Sequence, residues 1–252
     1  MQTIHYEKDG AVGVVTLAKP PHNLIDNTML AELVAAFARC ADEGCRAILL
    51  RSAMRHFCAG ADLNVLASER WSQAELERMW TALEQAPLPT VAAVHGAALG
   101  GGFELALMCD MVIAADTASF GMAEASLGLL PLLGGVQRVV QRTGLARAKE
   151  LAMFGRRQDP RALERWGVIN LVVAEAELGN VSLSWARQLA AGPTVAFGCI
   201  KALANQAARG GIAAADAQQE GTNTRMWSSR DQARGLAAFA TTGPGSAVFE
   251  GN

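Results

Sequence analysis

The sequence predicts an α/β protein with a helical C-terminal region. Apolar, β-branched runs alternate with segments of helical periodicity through the first half of the 252 residues. Three consecutive glycines at 100–102 join a strand-like run to a helix-like one, and from residue 134 onward the spacing is mostly helical. Strands that alternate with helices favour parallel pairing with right-handed crossovers.

Short apolar runs indicate the strands. GVVTL at 13–17 is followed by two prolines, and RAILLR at 46–51 precedes an irregular segment at 52–63. Further strands are predicted at 90–94, 111–115, 119–120 and 168–173.

Capping residues and apolar spacing indicate the helices. Asn23 and Asp26 are helix-start residues, and Pro87 and Pro89 end a later helix. Besides the glycine-rich helix, helices are predicted at 27–41, 73–85, 135–141, 146–154, 160–165, 178–190, 194–208, 212–226 and 230–239. Pro193 marks the predicted boundary between a core at 1–192 and a helical region at 193–252.

Composition limits the class of protein. Apolar residues make up 51% and charged residues 18%, which suffices for a sizeable core. The net charge is −2 and no basic run resembles a nucleic-acid footprint. The most apolar stretch is interrupted by His95, Glu104 and Asp110, and the first ten residues lack targeting character, so neither a membrane span nor a leader is predicted.

The cysteines and histidines predict neither disulfides nor a metal site. Five cysteines lie in apolar contexts without a C-x-x-C pair, which favours reduced thiols in a cytoplasmic protein. Four histidines show no ligand spacing, so we expect no bound metal.

The stretch HGAALGGGFELALMCD at 95–110 is the first candidate site. Consecutive glycines before a helix bring bare N–H groups and the positive end of the helix dipole towards negative charge. A tight packing corner is the alternative explanation, and the glycine spacing does not match a dinucleotide fingerprint. A second small-residue loop, HFCAGADL at 56–63, also follows a predicted strand. One N–H from each loop would form an oxyanion hole.

Two acids accompany these loops. Glu104 lies one turn into the glycine-rich helix and Glu124 lies twenty positions later. Two carboxyl groups in one pocket divide acid and base roles when their pKa values differ. The alternatives are a glutamate that offsets the helix dipole and an exposed acid at a helix start. A glycosidase also uses two acids, but it needs no oxyanion hole.

Four segments in order and spacing resemble the enoyl-CoA hydratase/isomerase (crotonase) family. They are HFCAGADL, AAVHGAALGGGFELALMCDMVIA, FGMAEASLGLLP with GGVQR, and ALERWGVINLVV. The resemblance runs from about residue 4 to residue 240. It implies a spiral of repeated strand–strand–helix units, C-terminal helices that assemble trimers or pairs of trimers, and an acyl-CoA substrate without a separate cofactor.

The resemblance assigns roles to individual residues. The oxyanion donors would be the N–H groups of Ala59 and Gly101, and the two catalytic acids would be Glu104 and Glu124. The expected substrate-binding residues are Ala59, Gly60, Ala61, Asp62, Leu63, Gly100 and Leu132. Both acids together favour hydration of a 2-enoyl-CoA. A hydroxyacyl-CoA dehydratase, an isomerase that uses Glu124 alone and a non-catalytic acyl-CoA-binding subunit remain alternatives.

The chain departs from the family pattern near the acyl site. Leu132 and Leu133 follow Pro131 where many hydratases have small residues, which adds bulk. The basic C-terminal segment that often meets coenzyme A phosphates is absent, so Lys201 and Arg230 are candidates for that contact. Cys58 and His95 are expected to be structural.

Overall fold

The computed structural model describes residues 2–68 and 71–252, and its centre is a six-stranded sheet. The strands run in the order β1-β2-β3-β4-β6-β8, and β5 and β7 form a separate pair. Their bounds are β1 Ile4–Asp9, β2 Val12–Leu17, β3 Ala47–Ser52, β4 Thr90–Val94, β5 Ala97–Leu99, β6 Met111–Ala115, β7 Ser119–Gly121 and β8 Leu171–Val173.

Strand pairing is parallel except at one edge. From β2 to β8 each neighbour is parallel, as in the pairing of Leu49 with Val91, whereas β1 pairs with β2 antiparallel. The wholly parallel prediction was therefore wrong at this edge. β1 is mostly polar and exposed, so it carries no apolar run that marks it as a strand.

Eleven helices of the described residues cover the sheet and extend beyond it. They are α1 Asn27–Asp42, α2 Leu63–Ser68, α3 Gln73–Glu84, α4 Gly101–Met108, α5 Gly135–Thr143, α6 Leu145–Phe154, α7 Pro160–Arg165, α8 Leu178–Ala191, α9 Thr194–Gly210, α10 Ile212–Trp227 and α11 Arg230–Thr242. Single 3₁₀ turns occupy Glu124–Leu127 and Glu175–Glu177.

The predicted helices are confirmed to within a few residues at their ends. At the start of α1, the Asp26 carboxylate accepts from the Met29 N–H at 2.8 Å, and Met29, Leu33 and Phe37 form its buried stripe. The short elements α2 and β5 lie in stretches where no helix or strand was expected. The last predicted strand is shorter than expected, because only Leu171–Val173 pairs with β6.

The C-terminal segment folds back onto the body of the protein. Arg46, just before β3, donates to the carbonyl oxygens of Gly192 at 2.6 Å and Phe249 at 2.9 Å. The buried Asp231 carboxylate accepts from the N–H groups of Glu250 and Gly251. Both ends of the region 193–252 are thus bonded to other elements. Its separate status as a domain stays a prediction.

The helices of residues 2–68 and 71–252 include none with the length and apolar character needed to cross a membrane.

Candidate active site

The two small-residue loops and the two acids line a single cavity of about 530 Å³. It lies where the chain leaves β3 and β5. All the predicted site residues contribute to its wall: Ala59, Gly60, Ala61, Asp62, Leu63, Gly100, Gly101, Glu104, Glu124 and Leu132. The structure therefore brings together residues that are up to 73 positions apart in the chain, from Ala59 to Leu132.

Gly100 allows the turn between β5 and α4. Its φ of 50° lies in the region that side chains rarely adopt, and an added Cβ would lie 2.7 Å from Glu124 Oε1. The next glycine but one, Gly102, is packed so closely that a Cβ would overlap the Cys58 carbonyl oxygen. The glycine run thus allows the backbone to approach Glu124 on one side and the loop at residues 58–61 on the other.

The loop at residues 58–61 is fixed from both sides by backbone hydrogen bonds. Cys58 N–H donates to Ala97 O at 3.1 Å, and Cys58 O accepts from Leu99 N–H at 3.0 Å. On the other side, Ile25 N–H donates to Gly60 O at 2.9 Å and Ile25 O accepts from Asp62 N–H at 2.8 Å. These bonds make the loop a short strand between β5 and the segment before α1.

The predicted role of the Ala59 N–H as an oxyanion donor was wrong. This group donates to His22 O at 3.0 Å, so it is not available to a ligand. Ala59 still lines the cavity through its other atoms. Along an extended segment the next N–H with the same orientation belongs to Ala61.

Ala61 and Gly101 provide two adjacent donors. Among the described residues neither N–H has a hydrogen-bond acceptor, since the bridge to Ile25 uses Gly60 O and Asp62 N. Gly101 is the first residue of α4, where N–H groups have no partner within the helix. A Cβ on Gly101 would lie 3.9 Å from the Ala61 nitrogen, so the two loops meet at these residues.

Glu104 is the most deeply buried acid of the site, with 1% of its surface exposed. Its Oε1 accepts from the N–H groups of Leu133 at 2.9 Å and Gly135 at 2.7 Å. Burial nevertheless raises the pKa of Glu104 to about 7, and the charge of Glu124 adds to the rise. Desolvation therefore outweighs the two N–H donors, a balance that sequence alone does not give.

Glu124 begins a 3₁₀ turn and is half-buried. Burial raises its pKa above the ordinary value of a glutamate. Its Oε2 is buried and has no hydrogen-bond partner among the described residues. An acid with one unpartnered buried oxygen at a cavity wall is placed to exchange a proton with a bound molecule.

Another part of the cavity wall is made of large apolar side chains. We call it the leucine side, and it consists of Leu63, Leu66, Trp71, Leu127, Leu129, Leu130 and Leu132. Several of these are strongly exposed, among them Leu130 at 65% and Leu127 at 55%. The wall with the two donors and Glu104, at residues 58–61, 100–104 and 133–135, is the donor side.

Three neighbouring residues have structural roles. Cys58 is fully buried, its Sγ donates to Asn23 O at 3.0 Å, and burial raises the pKa of its thiol to about 12, so it is no nucleophile. His95 Nε2 lies 2.8 Å from Met54 O, as expected for a structural histidine. The Asp62 carboxylate caps the start of α2 by accepting from Asn64 N–H at 3.0 Å.

The predicted contact of Lys201 with phosphate was wrong. Lys201 is buried, lies 2.9 Å from Asp110 Oδ2 and donates to Leu88 O at 3.1 Å, so its charge is already compensated inside the protein. Arg230 is exposed at the start of α11 and does not contribute to the cavity wall as described.

Sequence reasoning missed three contributors to the site. Ile25 pairs with the loop at 58–61, and its Cδ1 would lie 2.9 Å from a Cβ on Gly101. Gly135 holds Glu104 through its N–H, and Trp71 contributes to the cavity wall. Only Gly135, in the motif GGVQR, had a sequence signal. In the part of the chain that the structure describes, no group of three or more His, Cys, Asp or Glu could hold a metal ion.

Comparison with known proteins gives a consistent family. A family model described as enoyl-CoA hydratase/isomerase matches residues 7–251. A probable enoyl-CoA hydratase of Mycobacterium bovis is 34% identical over 243 residues, which cover 94% of this chain and 95% of that protein. A carnitinyl-CoA dehydratase of Proteus mirabilis is 36% identical over 206 residues, 79% of each chain.

Solved structures agree. A crystal structure of an enoyl-CoA hydratase subunit from Geobacillus kaustophilus superposes with a TM-score of 0.91 at 34% identity, covering 100% of this chain and 99% of that one. The predicted fold class, a crotonase-like spiral with a C-terminal helical region, is confirmed.

Proposed function

Because the chain belongs to the enoyl-CoA hydratase/isomerase family, we propose that it adds water across the 2,3 double bond of a 2-enoyl-CoA thioester. One observation carries the proposal. Two acids of raised pKa and two unpartnered N–H groups line the same cavity. This set matches what hydration needs, namely an oxyanion hole for the thioester carbonyl and an acid–base pair for water.

The thioester oxygen binds between the N–H groups of Ala61 and Gly101. Negative charge develops on this oxygen when the β-carbon is attacked, so two fixed donors stabilise the enolate more than the ground state. Both donors belong to backbone held by other hydrogen bonds, and they need little rearrangement when the charge forms. The thioester chain then points towards the leucine side.

The two acids act with one proton between them. One carboxylate takes a proton from water as its oxygen bonds to the β-carbon, and the other acid gives its proton to the α-carbon. The pair still holds one proton afterwards, so the atoms balance and the site is ready for the next turnover. Close carboxyl groups of raised pKa favour this shared state near neutral pH.

We assign the base to Glu104 and the acid to Glu124. The two N–H bonds to Glu104 Oε1 favour its ionised form, whereas Glu124 Oε2 has no donor among the described residues. When Glu124 holds the proton, its charge no longer raises the pKa of Glu104. Burial of Glu124 favours its protonated form.

The remaining parts of the proposal concern partners. Coenzyme A enters as part of the substrate, and the chemistry above uses no further cofactor. Assembly as a trimer or a pair of trimers stays a prediction. Large apolar side chains exposed on α9, α10 and α11, including Ile212, Trp227 and Phe239, are surfaces that such an assembly would cover.

The direct test is loss of the conjugated thioester absorbance with crotonyl-CoA. We expect turnover by the wild type and a loss of about 10²–10⁴-fold in kcat for Glu104→Gln and for Glu124→Gln. The amides keep the shape of each side chain, so binding of butyryl-CoA, measured by calorimetry, serves as the control for folding and for the cavity.

Other outcomes point to other members of the family. Hydration that survives Glu104→Gln but not Glu124→Gln would contradict the two-acid scheme and favour an isomerase-like site. Binding without turnover of any enoyl-CoA, unchanged in both variants, would replace the proposal by a non-catalytic acyl-CoA-binding subunit. Turnover of 3-hydroxyacyl-CoA alone would favour a dehydratase.

A further inference from the structure

We propose that Trp71 sets the upper limit of acyl chain length, because it lines both the catalytic cavity and an apolar groove between α1 and α3. The inference deepens the proposed function and rests on it. Its content is the substrate class: 2-enoyl-CoA thioesters whose acyl chain ends before the indole. Longer chains would need space beyond the indole, in the groove.

The groove adjoins the catalytic cavity at one residue. Its volume is about 470 Å³, close to that of the cavity itself, and Trp71 belongs to the walls of both. Most of its lining is apolar. The lining residues are Asn27, Leu30, Ala31, Val34, Ala35, Ala38, Trp71, Glu75, Leu76, Arg78 and Met79.

The indole is held in place between the two spaces. Trp71 is half-buried and packs against the hydrophobic core, and its Nε1–H donates to Asn27 Oδ1 at the start of α1. A tryptophan that is both packed and hydrogen-bonded is a fixed wall. Ser72, the next residue, forms the capping box of α3 with Glu75, which fixes the backbone conformation next to Trp71.

The chemistry of the groove suits the end of an alkyl chain. Leu30, Leu76 and Met79 form a buried apolar floor, and the alanines of α1 leave open space beside it. Trp71 belongs to the leucine side, none of whose side chains is charged. An apolar chain that leaves the oxyanion hole along this wall therefore reaches the indole.

The test compares chain lengths in Trp71→Ala and Trp71→Phe. We measure kcat/KM for 2-hexadecenoyl-CoA and for crotonyl-CoA and form their ratio. Each methylene that enters an apolar groove improves binding about fourfold. We therefore expect the ratio to rise by at least about tenfold in Trp71→Ala and by less in Trp71→Phe. The dissociation constants of palmitoyl-CoA and butyryl-CoA, measured by calorimetry, should change in the same sense.

A second variant identifies the space that the chain enters. Ala35→Phe fills the groove from an exposed position of α1, so in the Trp71→Ala background it should return the ratio towards the wild-type value. A ratio that Trp71→Ala leaves unchanged, while the wild type hydrates crotonyl-CoA, overturns the inference but not the proposed function. A rise that Ala35→Phe does not reverse also overturns it. No hydration by wild type or variants counts against the proposed function itself.

Discussion

The two walls of the cavity are built in opposite ways. The donor side consists of buried backbone and one buried acid, each fixed by hydrogen bonds to chain segments far away in sequence. The leucine side is made of side chains, and it includes strongly exposed ones such as Leu127 and Leu130, on a 3₁₀ turn and the loop that follows. The contrast indicates that reaction type is set by backbone positions, and substrate range by side chains that mutation replaces at little structural cost.

The largest effect is expected where a substitution removes one donor from the donor side. Ala61→Pro deletes an N–H that has no acceptor among the described residues, and Gly60 tolerates a following proline. We expect kcat/KM with crotonyl-CoA to fall about 10²–10³-fold, with little change in Tm.

Ala59→Pro is the matched control for that experiment. It deletes the N–H that bonds His22 O, so it should lower the free energy of unfolding by about 1–3 kcal/mol, seen as a lower Tm. If Ala61→Pro keeps full activity while Ala59→Pro loses it without a change in Tm, the oxyanion donor is Ala59 after all.

A smaller effect, on stability, is expected at Glu104. Its pKa is raised to about 7 in the folded state, whereas an unfolded glutamate titrates near 4.3. The folded state thus binds more protons, and stability falls as pH rises between these values and then levels off. The cost reaches at most about 4 kcal/mol.

Glu104→Gln removes that titration while its amide oxygen still accepts from Leu133 and Gly135. The variant should therefore have a higher Tm than the wild type at pH 8, and the gap should close below about pH 4. If the difference in Tm between the wild type and the variant stays the same over this pH range, the raised pKa of Glu104 in the folded state is contradicted. Glu150→Gln, at an exposed position of α6, controls for general effects of charge.

The smallest effect is expected on the leucine side. Leu130→Ser replaces a side chain that is 65% exposed, so it removes little packing but some contact with an acyl chain. KM for a long-chain substrate should rise a few-fold, with a smaller change in kcat. Leu145→Ser, equally exposed on α6 away from the cavity, should leave both constants unchanged. A large loss of kcat in Leu130→Ser would remove the distinction between the two walls.

The sequence predicted what depends on local pattern. Continuous apolar runs between helical segments located β2, β3, β4 and β6, and the capping residue Asp26 located the start of α1. The polar edge strand β1 was missed, because its own residues form no apolar run and only its hydrogen-bonded pairing with β2 makes it a strand. The glycine run and the two acids were found because their residue types are unusual at such positions.

What depends on orientation was not predictable from the sequence. Ala59 and Ala61 are both small residues of the same loop, and only the bond from Ala59 to His22 O shows which N–H is left for a ligand. The balance between burial and N–H donation at Glu104 also needed the positions of Leu133 and Gly135, about thirty residues later. Trp71 has no motif, and its place between two spaces follows from packing alone.

The hydrogen bonds from Leu133 and Gly135 to Glu104 have a consequence for how this protein could evolve. These N–H groups belong to the same segment that carries Leu132 on the cavity wall. A mutation that remodels residues 131–135 to admit a new acyl group also moves the N–H donors of Glu104, the proposed catalytic base. Shifts in substrate preference through this segment are therefore coupled to shifts in pH optimum, whereas changes at Trp71 leave these two bonds to the base in place. Substitutions at Trp71 therefore change substrate preference with less effect on the pKa of Glu104 than substitutions at residues 131–135.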